Sequence, residues 1–155
     1  MKQMGFKISK LAGVLLAAVF ATGNDAHALE YVSVADKSAI LYDAPSTKGK
    51  KLFVISRFTP LEKVVNLEYW IKVRDKSGGM AWIERRAVSD KHYVVVSVPL
   101  ATVRQAPEAN APVVFQVSQN VVMEALGING GGWIKARHQD GSSGFMKSVE
   151  VWGAD

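Results

Sequence analysis

Side chains that could act as a nucleophile, a general base or a metal ligand are few in this sequence. It contains no cysteine, and two of its three histidines, His92 and His138, lie far apart without metal-ligand spacing. The third, His27, lies in the N-terminal segment. The stretch Gly141-Ser142-Ser143-Gly144 has the composition of a turn and lacks the spacing of a nucleophile elbow. The sequence therefore favours a binding protein over an enzyme, with no metal ion or cofactor.

Aromatic and cationic residues alternate with apolar ones along one stretch, Trp70–Arg74, and this pattern indicates a ligand-binding face. Alternate side chains of a strand share a face, so Trp70 and Lys72 lie on one side while Ile71 points into a core. A hairpin turn over residues 75–79 would pair Lys72 with Trp82. A cation–π contact there is worth about 0.5–1 kcal/mol. We expect this face to bind a ligand.

The same stretch occurs twice. Trp70–Arg74 (WIKVR) returns as Trp133–Arg137 (WIKAR), and the likeness extends through residues 31–90 and 93–152 at a spacing of 62 that becomes 63 after one extra residue near 130–132. Each copy must be one supersecondary unit or small domain. The sequence predicts two tandem domains, 29–90 and 93–155. The second copy places Trp133, Lys135 and Phe145 on the equivalent face. Alternatively, these aromatic residues cover the end of a barrel or the joint between the two units.

The elements that position these faces are predicted to be short strands. Runs rich in β-branched and aromatic residues alternate with loops that contain proline or glycine, and no window beyond residue 28 has a helical period. Five or six such strands per copy predict an all-β protein of two small antiparallel barrels. The predicted strands of the two copies are 31–34, 52–56, 61–65, 70–74 and 80–85, and 93–98, 113–118, 121–126, 133–137 and the strand that follows the turn at 139–143.

Residues 1–28 have a different character. Three lysines precede the apolar run 11–21, and a small-residue site, Ala26-His27-Ala28, follows. This order is typical of a secretory signal peptide cleaved after Ala28. The run of 11 residues is shorter than the ~20 residues of a membrane-spanning helix. We therefore expect a periplasmic or secreted protein that starts at Leu29, without stable membrane insertion after cleavage.

Charge is distributed unevenly between the two copies. Residues 29–92 contain 12 basic and 8 acidic side chains, whereas residues 93–155 contain 4 and 5. A basic surface attracts anionic partners, and for an exported chain these are polymers of the envelope rather than nucleic acid. Simple solubility is the alternative explanation.

The two copies resemble the bacterial Src-homology-3-like (SH3) domain family. The family pattern is a strand that ends in arginine, a small residue and proline, then a Trp-x-x-Val strand, then Gly-Trp-Val or Gly-Trp-Ile. The second copy matches it at residues 102–107, 133–136 and 144–146, and the first at 44–45, 70–73 and 81–83. Tyr42 replaces the arginine and Ala81 the glycine of the first copy, while Ala136 and Phe145 replace the valine and tryptophan of the second.

The resemblance implies a non-catalytic binding module of the cell envelope that recognises peptidoglycan peptide or glycan. An adaptor that binds a periplasmic protein is the second interpretation, and a cell-wall hydrolase is the third. Leu41-Tyr42-Asp43 is similar to the segment with which eukaryotic SH3 domains line a polyproline groove. In such a groove Tyr42, Tyr69 and Trp70 would form the wall. We expect Trp70→Ala and Tyr42→Ala to weaken binding to envelope material more than Trp133→Ala does.

Overall fold

The computed structural model describes residues 29–154, and these fold into two seven-stranded antiparallel sheets. The predicted signal peptide lies outside the described residues. Within residues 29–154, no helix is long and apolar enough to cross a membrane. The first sheet contains β1 (Tyr31–Val34), β2 (Ser38–Tyr42), β3 (Lys51–Ser56), β4 (Pro60–Asn66), β5 (Trp70–Arg74), β6 (Met80–Glu84) and β7 (Val88–Ser89). The second contains β8 (Tyr93–Val96), β9 (Leu100–Arg104), β10 (Val113–Ser118), β11 (Val122–Asn129), β12 (Trp133–Arg137), β13 (Ser143–Lys147) and β14 (Val151–Trp152).

The predicted all-β class and the repeat are confirmed, with differences in detail. Each sheet has seven strands rather than five or six. β2 and the two-residue strands β7 and β14 had no prediction, and β9 was implied only by the family pattern of a strand that ends in arginine. β8 ends at Val96, not at Val98, because the chain turns towards Pro99, which has no N–H for a ladder. β6 ends at Glu84 because a 3₁₀ turn, Arg85–Ala87, begins there. The second hairpin turn is 138–142, one residue earlier than predicted, and the His138 N–H donates to the Ser142 carbonyl.

Each sheet curls around its own apolar core without closing into a barrel. The strand order is β3-β2-β6-β5-β4-β1-β7 in the first sheet and the same in the second, so β3 and β7 are left at the edges. One buried cluster nevertheless draws on β1, β2, β4, β5 and β6, including Val32, Leu41, Leu61, Ile71 and Ile83. Strands so far apart in one sheet can share a core only if the sheet bends around it. The predicted barrel is thus a bent open sheet among the described residues.

The two sheets repeat their polar contacts as well as their strands. The Arg74 guanidinium donates to both carboxylate oxygens of the buried Glu62, at 3.1 and 3.2 Å, across the β4–β5 ladder. The same rung of the second sheet pairs Arg137 with Glu124, at 2.7 Å. These equivalent carboxylates therefore pair with arginine at the same rung of both sheets. The extra residue of the second copy lies in the turn 130–132, where Gly131 and Gly132 have φ of 83° and 81°.

A cluster of aromatic rings joins the two sheets. Phe58 stacks on Tyr93 with ring centroids 4.5 Å apart, and Tyr31 meets the edge of Trp152 at 5.2 Å. Phe58 has φ of 68°, a left-handed conformation that costs a side chain of this kind about 1–2 kcal/mol. We call Tyr31, Phe58, Tyr93 and Trp152 the joint. It contains none of the aromatic residues predicted for the binding face.

Candidate ligand site on the first sheet

The face predicted on β5 and β6 has the expected register. Trp70 lies across from Glu84 and Lys72 across from Trp82, as the hairpin prediction required. The Lys72 ammonium lies 6.0 Å from the Trp82 ring centroid, at the outer limit of a cation–π contact. Ile71 and Val73 are buried in the core on the opposite face. The strand alternation therefore determines which side chains of this hairpin can meet a ligand.

Tyr42 has a supporting position rather than an exposed one. It follows Lys72 and Trp82 on the same rung, because β2 pairs with β6 at Tyr42 and Trp82. Its ring meets Trp70 edge-on with centroids 5.4 Å apart, and only 5% of its surface is exposed. An edge-to-face pair of this kind contributes about 0.5–1.5 kcal/mol beyond its buried area. Tyr42 thus packs against Trp70 and supports its position, and it does not line the cavity described next.

An open cavity of about 690 Å³ lies beside Trp70. Its walls come from three places in the chain: the loop after β2 (Pro45, Ser46, Thr47), the β4–β5 turn with Trp70 (Glu68, Tyr69, Trp70), and the end of β6 with the 3₁₀ turn (Glu84, Arg85, Arg86). Tyr69 is 71% exposed, so its ring is available to a ligand. We call these nine residues the Trp70 cavity. It includes two of the five residues predicted for the site, Tyr69 and Trp70.

Hydrogen bonds fix the shape of this cavity. The Arg85 Nε donates to the Glu68 carbonyl oxygen at 2.9 Å and its Nη2 to the Leu67 carbonyl oxygen at 2.6 Å. Arg85 also donates to the Asn66 side chain, and its backbone N–H donates to the Tyr69 carbonyl oxygen at 2.9 Å. One arginine therefore ties the β4–β5 turn to the end of β6, which makes it a part of the cavity wall.

Charged groups of both signs surround the opening. The Arg86 Nε lies 2.7 Å from a Glu84 carboxylate oxygen, and this hydrogen bond raises the pKa of Arg86. A hydrogen bond to the Glu68 carboxylate raises the pKa of the Tyr69 hydroxyl. The Arg86 side chain is largely exposed. A carboxylate of a ligand can therefore reach it while apolar groups rest on Tyr69 and Trp70.

The equivalent surface of the second sheet has different chemistry. Lys135 lies 5.8 Å from the Phe145 ring centroid, so the cation–aromatic rung is repeated. Phe145 pairs with Arg104 instead of a tyrosine, and Arg104 donates to the Ala111 carbonyl oxygen at 2.8 Å. Trp133 therefore has no tyrosine behind it. The residues at the positions of Tyr69, Arg85 and Arg86 are Gly132, Ser148 and Val149.

Comparison with protein families decides what these two sheets are. The family model for the bacterial SH3 domain matches residues 35–90 and residues 97–153, one match on each sheet. The chain belongs to the bacterial SH3 domain family. Domains of this family are cell-wall binding modules, which fits a role in the cell envelope. The resemblance in strand-end and tryptophan motifs is thus confirmed.

The solved structures that match the chain are distant from it. They include NlpC2 and NlpC1 from Trichomonas vaginalis, each 12% identical with a TM-score of 0.38; the matches cover 81% and 88% of this chain. An NlpC/P60 family protein from Bacillus cereus is 12% identical over 79% of this chain, with a TM-score of 0.37. This chain spans 48%, 50% and 56% of those three chains, about half their length. None of the curated proteins compared with the chain matches it.

Sequence reasoning missed most of the cavity. Pro45, Glu68, Arg85 and Arg86 lie in loops and turns, where no period assigns a side chain to a face. One signal was present: Arg85 and Arg86 come one residue after the Ala-Trp-Ile motif, where the second copy has Ser148 and Val149. Among residues 29–154, no group of three or more His, Cys, Asp or Glu side chains could hold a metal ion.

Proposed function

We propose that the chain is an exported, non-catalytic protein of the cell envelope that binds the peptide part of peptidoglycan in the Trp70 cavity. The observation that carries the proposal is the combination of the exposed Tyr69 ring, the half-buried Trp70 ring and an exposed guanidinium around one open cavity. A wall peptide is anionic and partly apolar. Its carboxylates would meet Arg86, and its apolar groups would pack on Tyr69 and Trp70.

Three further observations support this proposal. The first domain contains most of the positive charge, which attracts an anionic polymer. The N-terminal segment has the pattern of a signal peptide, which supports export to the compartment of the wall. The absence of cysteine and the separate positions of His92 and His138 favour binding without catalysis. The second domain, slightly acidic and lacking the equivalents of Tyr69 and Arg86, would act as a support.

Sedimentation with purified peptidoglycan sacculi tests the proposal. The wild-type chain should pellet with intact sacculi and stay in solution with sacculi stripped of their peptides. Tyr69→Ala and Trp70→Ala should each weaken binding about tenfold or more with the circular dichroism spectrum unchanged, whereas Trp133→Ala, the matched control, should bind as the wild type does. Equal binding by all three variants, or loss with Trp133→Ala alone, would place the ligand elsewhere. Release of soluble muropeptides would show a hydrolase instead.

A protein adaptor is the second candidate function. It is favoured by a different surface of the first domain, the apolar edge strand β3, which pairs with β2 on one side and with no strand of the described chain on the other.

A further inference from the structure

Strand β3 lies at the edge of the first sheet, and one side of its backbone has no neighbouring strand in the described chain. Its ladder partner is β2, with pairs from Ser38 and Ser56 to Tyr42 and Lys51, and no other strand of the described chain hydrogen-bonds to it. The strand is six residues long and contains no proline. An edge of this kind offers backbone N–H and C=O groups to an added strand.

The side chains of this edge are unusually apolar for a surface. Phe53 is 62% exposed and Val54 is 71% exposed, although they are neighbours in the middle of the strand. Phe53 lies across from the core residue Leu41, so its ring is on the core side of the sheet and yet uncovered. Leu52 and Ile55 are half-buried against the core. A further strand would continue the sheet and cover the Phe53 ring.

The second domain has the same edge, β10, with Val113 and Val114 exposed at its start but with a different centre. Phe115, the counterpart of Phe53, packs against the core and lies 6.3 Å from the His138 ring. Gln116 stands in the place of Val54. The two edges derive from one repeated unit, and the exposed pair of apolar residues at its centre is a property of the first domain.

Charge identifies the kind of strand that fits. Lys48, Lys50 and Lys51 precede and open β3, and none of the three forms an ion pair with a carboxylate in the part of the chain that the structure describes. The nearest acid in the loop, Asp43, accepts the Lys50 backbone N–H at 2.8 Å. This end of the edge therefore attracts carboxylates.

A second copy of this chain fits poorly. Symmetric antiparallel pairing of two β3 strands about Phe53 and Val54 would place Lys51 across from Ser56 and Lys50 beside Arg57 of the other copy. Parallel pairing would place Lys51 beside Lys51. Both arrangements bring like charges together, which destabilises a strand pair.

We propose that β3 is a docking edge for an extended segment of another protein, added as an antiparallel strand, with alternating apolar residues that cover Phe53 and carboxylates at its C-terminal end beside Lys48, Lys50 and Lys51. This is strand addition, in which main-chain hydrogen bonds supply affinity and alternate side chains supply specificity. It uses a surface other than the Trp70 cavity. The chain would thereby bind the wall through one surface of the first domain and a protein through another.

A synthetic ten-residue peptide with three alternating threonine–valine pairs followed by four glutamates tests this proposal. Titration into residues 29–155 should give saturable binding, with amide hydrogen exchange slowed in Lys51–Ser56. Phe53→Ser and the double variant Lys50→Glu/Lys51→Glu should each weaken binding at least tenfold. The matched control Val113→Gln, on the edge strand β10, should leave it unchanged. Tyr69→Ala should also leave it unchanged, so this proposal and wall binding succeed or fail separately.

Two further peptides separate strand addition from charge attraction alone. The same peptide with alternate backbone nitrogens methylated should not bind, because it cannot complete a ladder. The same peptide with lysine in place of glutamate should bind much more weakly. Equal binding by the methylated peptide, exchange protection outside β3, or self-association of the free chain through β3 would each overturn the proposal.

Discussion

Truncating a central side chain of the first core tests whether the strand faces are assigned correctly. Ile71 lies on β5, is 1% exposed, and has neighbours on both sides, with Asn66 of β4 and Ile83 of β6 directly across. The change Ile71→Ala removes three carbon atoms, which at about 0.8 kcal/mol each gives roughly 2.4 kcal/mol. A strand held on both sides cannot move to fill the cavity, so we expect a total loss of about 3–4 kcal/mol.

Urea unfolding followed by circular dichroism at neutral pH provides the measurement. Ile134→Ala should cost a similar amount, because Ile134 is fully buried at the equivalent position. Val54→Ala, at an exposed site, is the control and should change the unfolding free energy by less than about 0.5 kcal/mol. Near-zero effects at both isoleucines would mean that the faces of β5 and β12 are reversed, and the Trp70 cavity would lose its basis.

Three other predictions concern two single contacts and the N-terminal segment. Arg137 and then Lys91 lower the pKa of Glu124 below its ordinary value, so the stability that this carboxylate contributes is present above about pH 4.5 and is lost as the pH falls through the lowered value. Urea midpoints should therefore fall less steeply on acidification in Glu124→Gln than in the wild type; equal slopes would contradict this. Gly144→Ala should destabilise the second domain by more than about 2 kcal/mol, since the new Cβ would lie 2.6 Å from the Arg104 carbonyl oxygen; an unchanged thermal midpoint would refute it. Mass spectrometry of the exported chain should find Leu29 at its N-terminus, and an uncleaved Met1 would refute the signal peptide.

The sequence predicted best those strands in which apolar and charged residues alternate clearly. Trp70–Arg74 alternates large apolar and charged residues and is followed by a glycine-containing turn, so both the strand and its register with β6 could be worked out. β2 and β9 have weaker patterns that merge into the Ala-Pro loops. β7 and β14 have two residues each, which is too short for any period. Their places are determined by pairing with β1 and β8, a contact between distant parts of the chain.

Only the part of the candidate site that lies on the β5–β6 hairpin was predicted. The sequence assigned Trp70, Lys72 and Trp82 to one face, and the structure has them there. It could not show that Tyr42 is covered by Trp70, because that contact depends on where β2 lies beside β6. The joint was missed for a similar reason. Phe58 gives no sign of its left-handed backbone, but its counterpart in the repeat, Asn120, has φ of 69° and belongs to a residue type that often adopts this conformation.

The contact between Tyr31 and Trp152 brings the first and last strands of the described chain together at the joint. A circular permutation is therefore compatible with the fold. Residues 30 and 154 could be connected by a short flexible linker that keeps the core residue Ala154, and new ends could be opened in the exposed turn at 75–79. Every strand pair and both cores would be retained, while the order of the strands along the chain would change. In such a rearranged chain β1 would follow β14 directly, and the two domains would be held together by two covalent crossings at the joint instead of one.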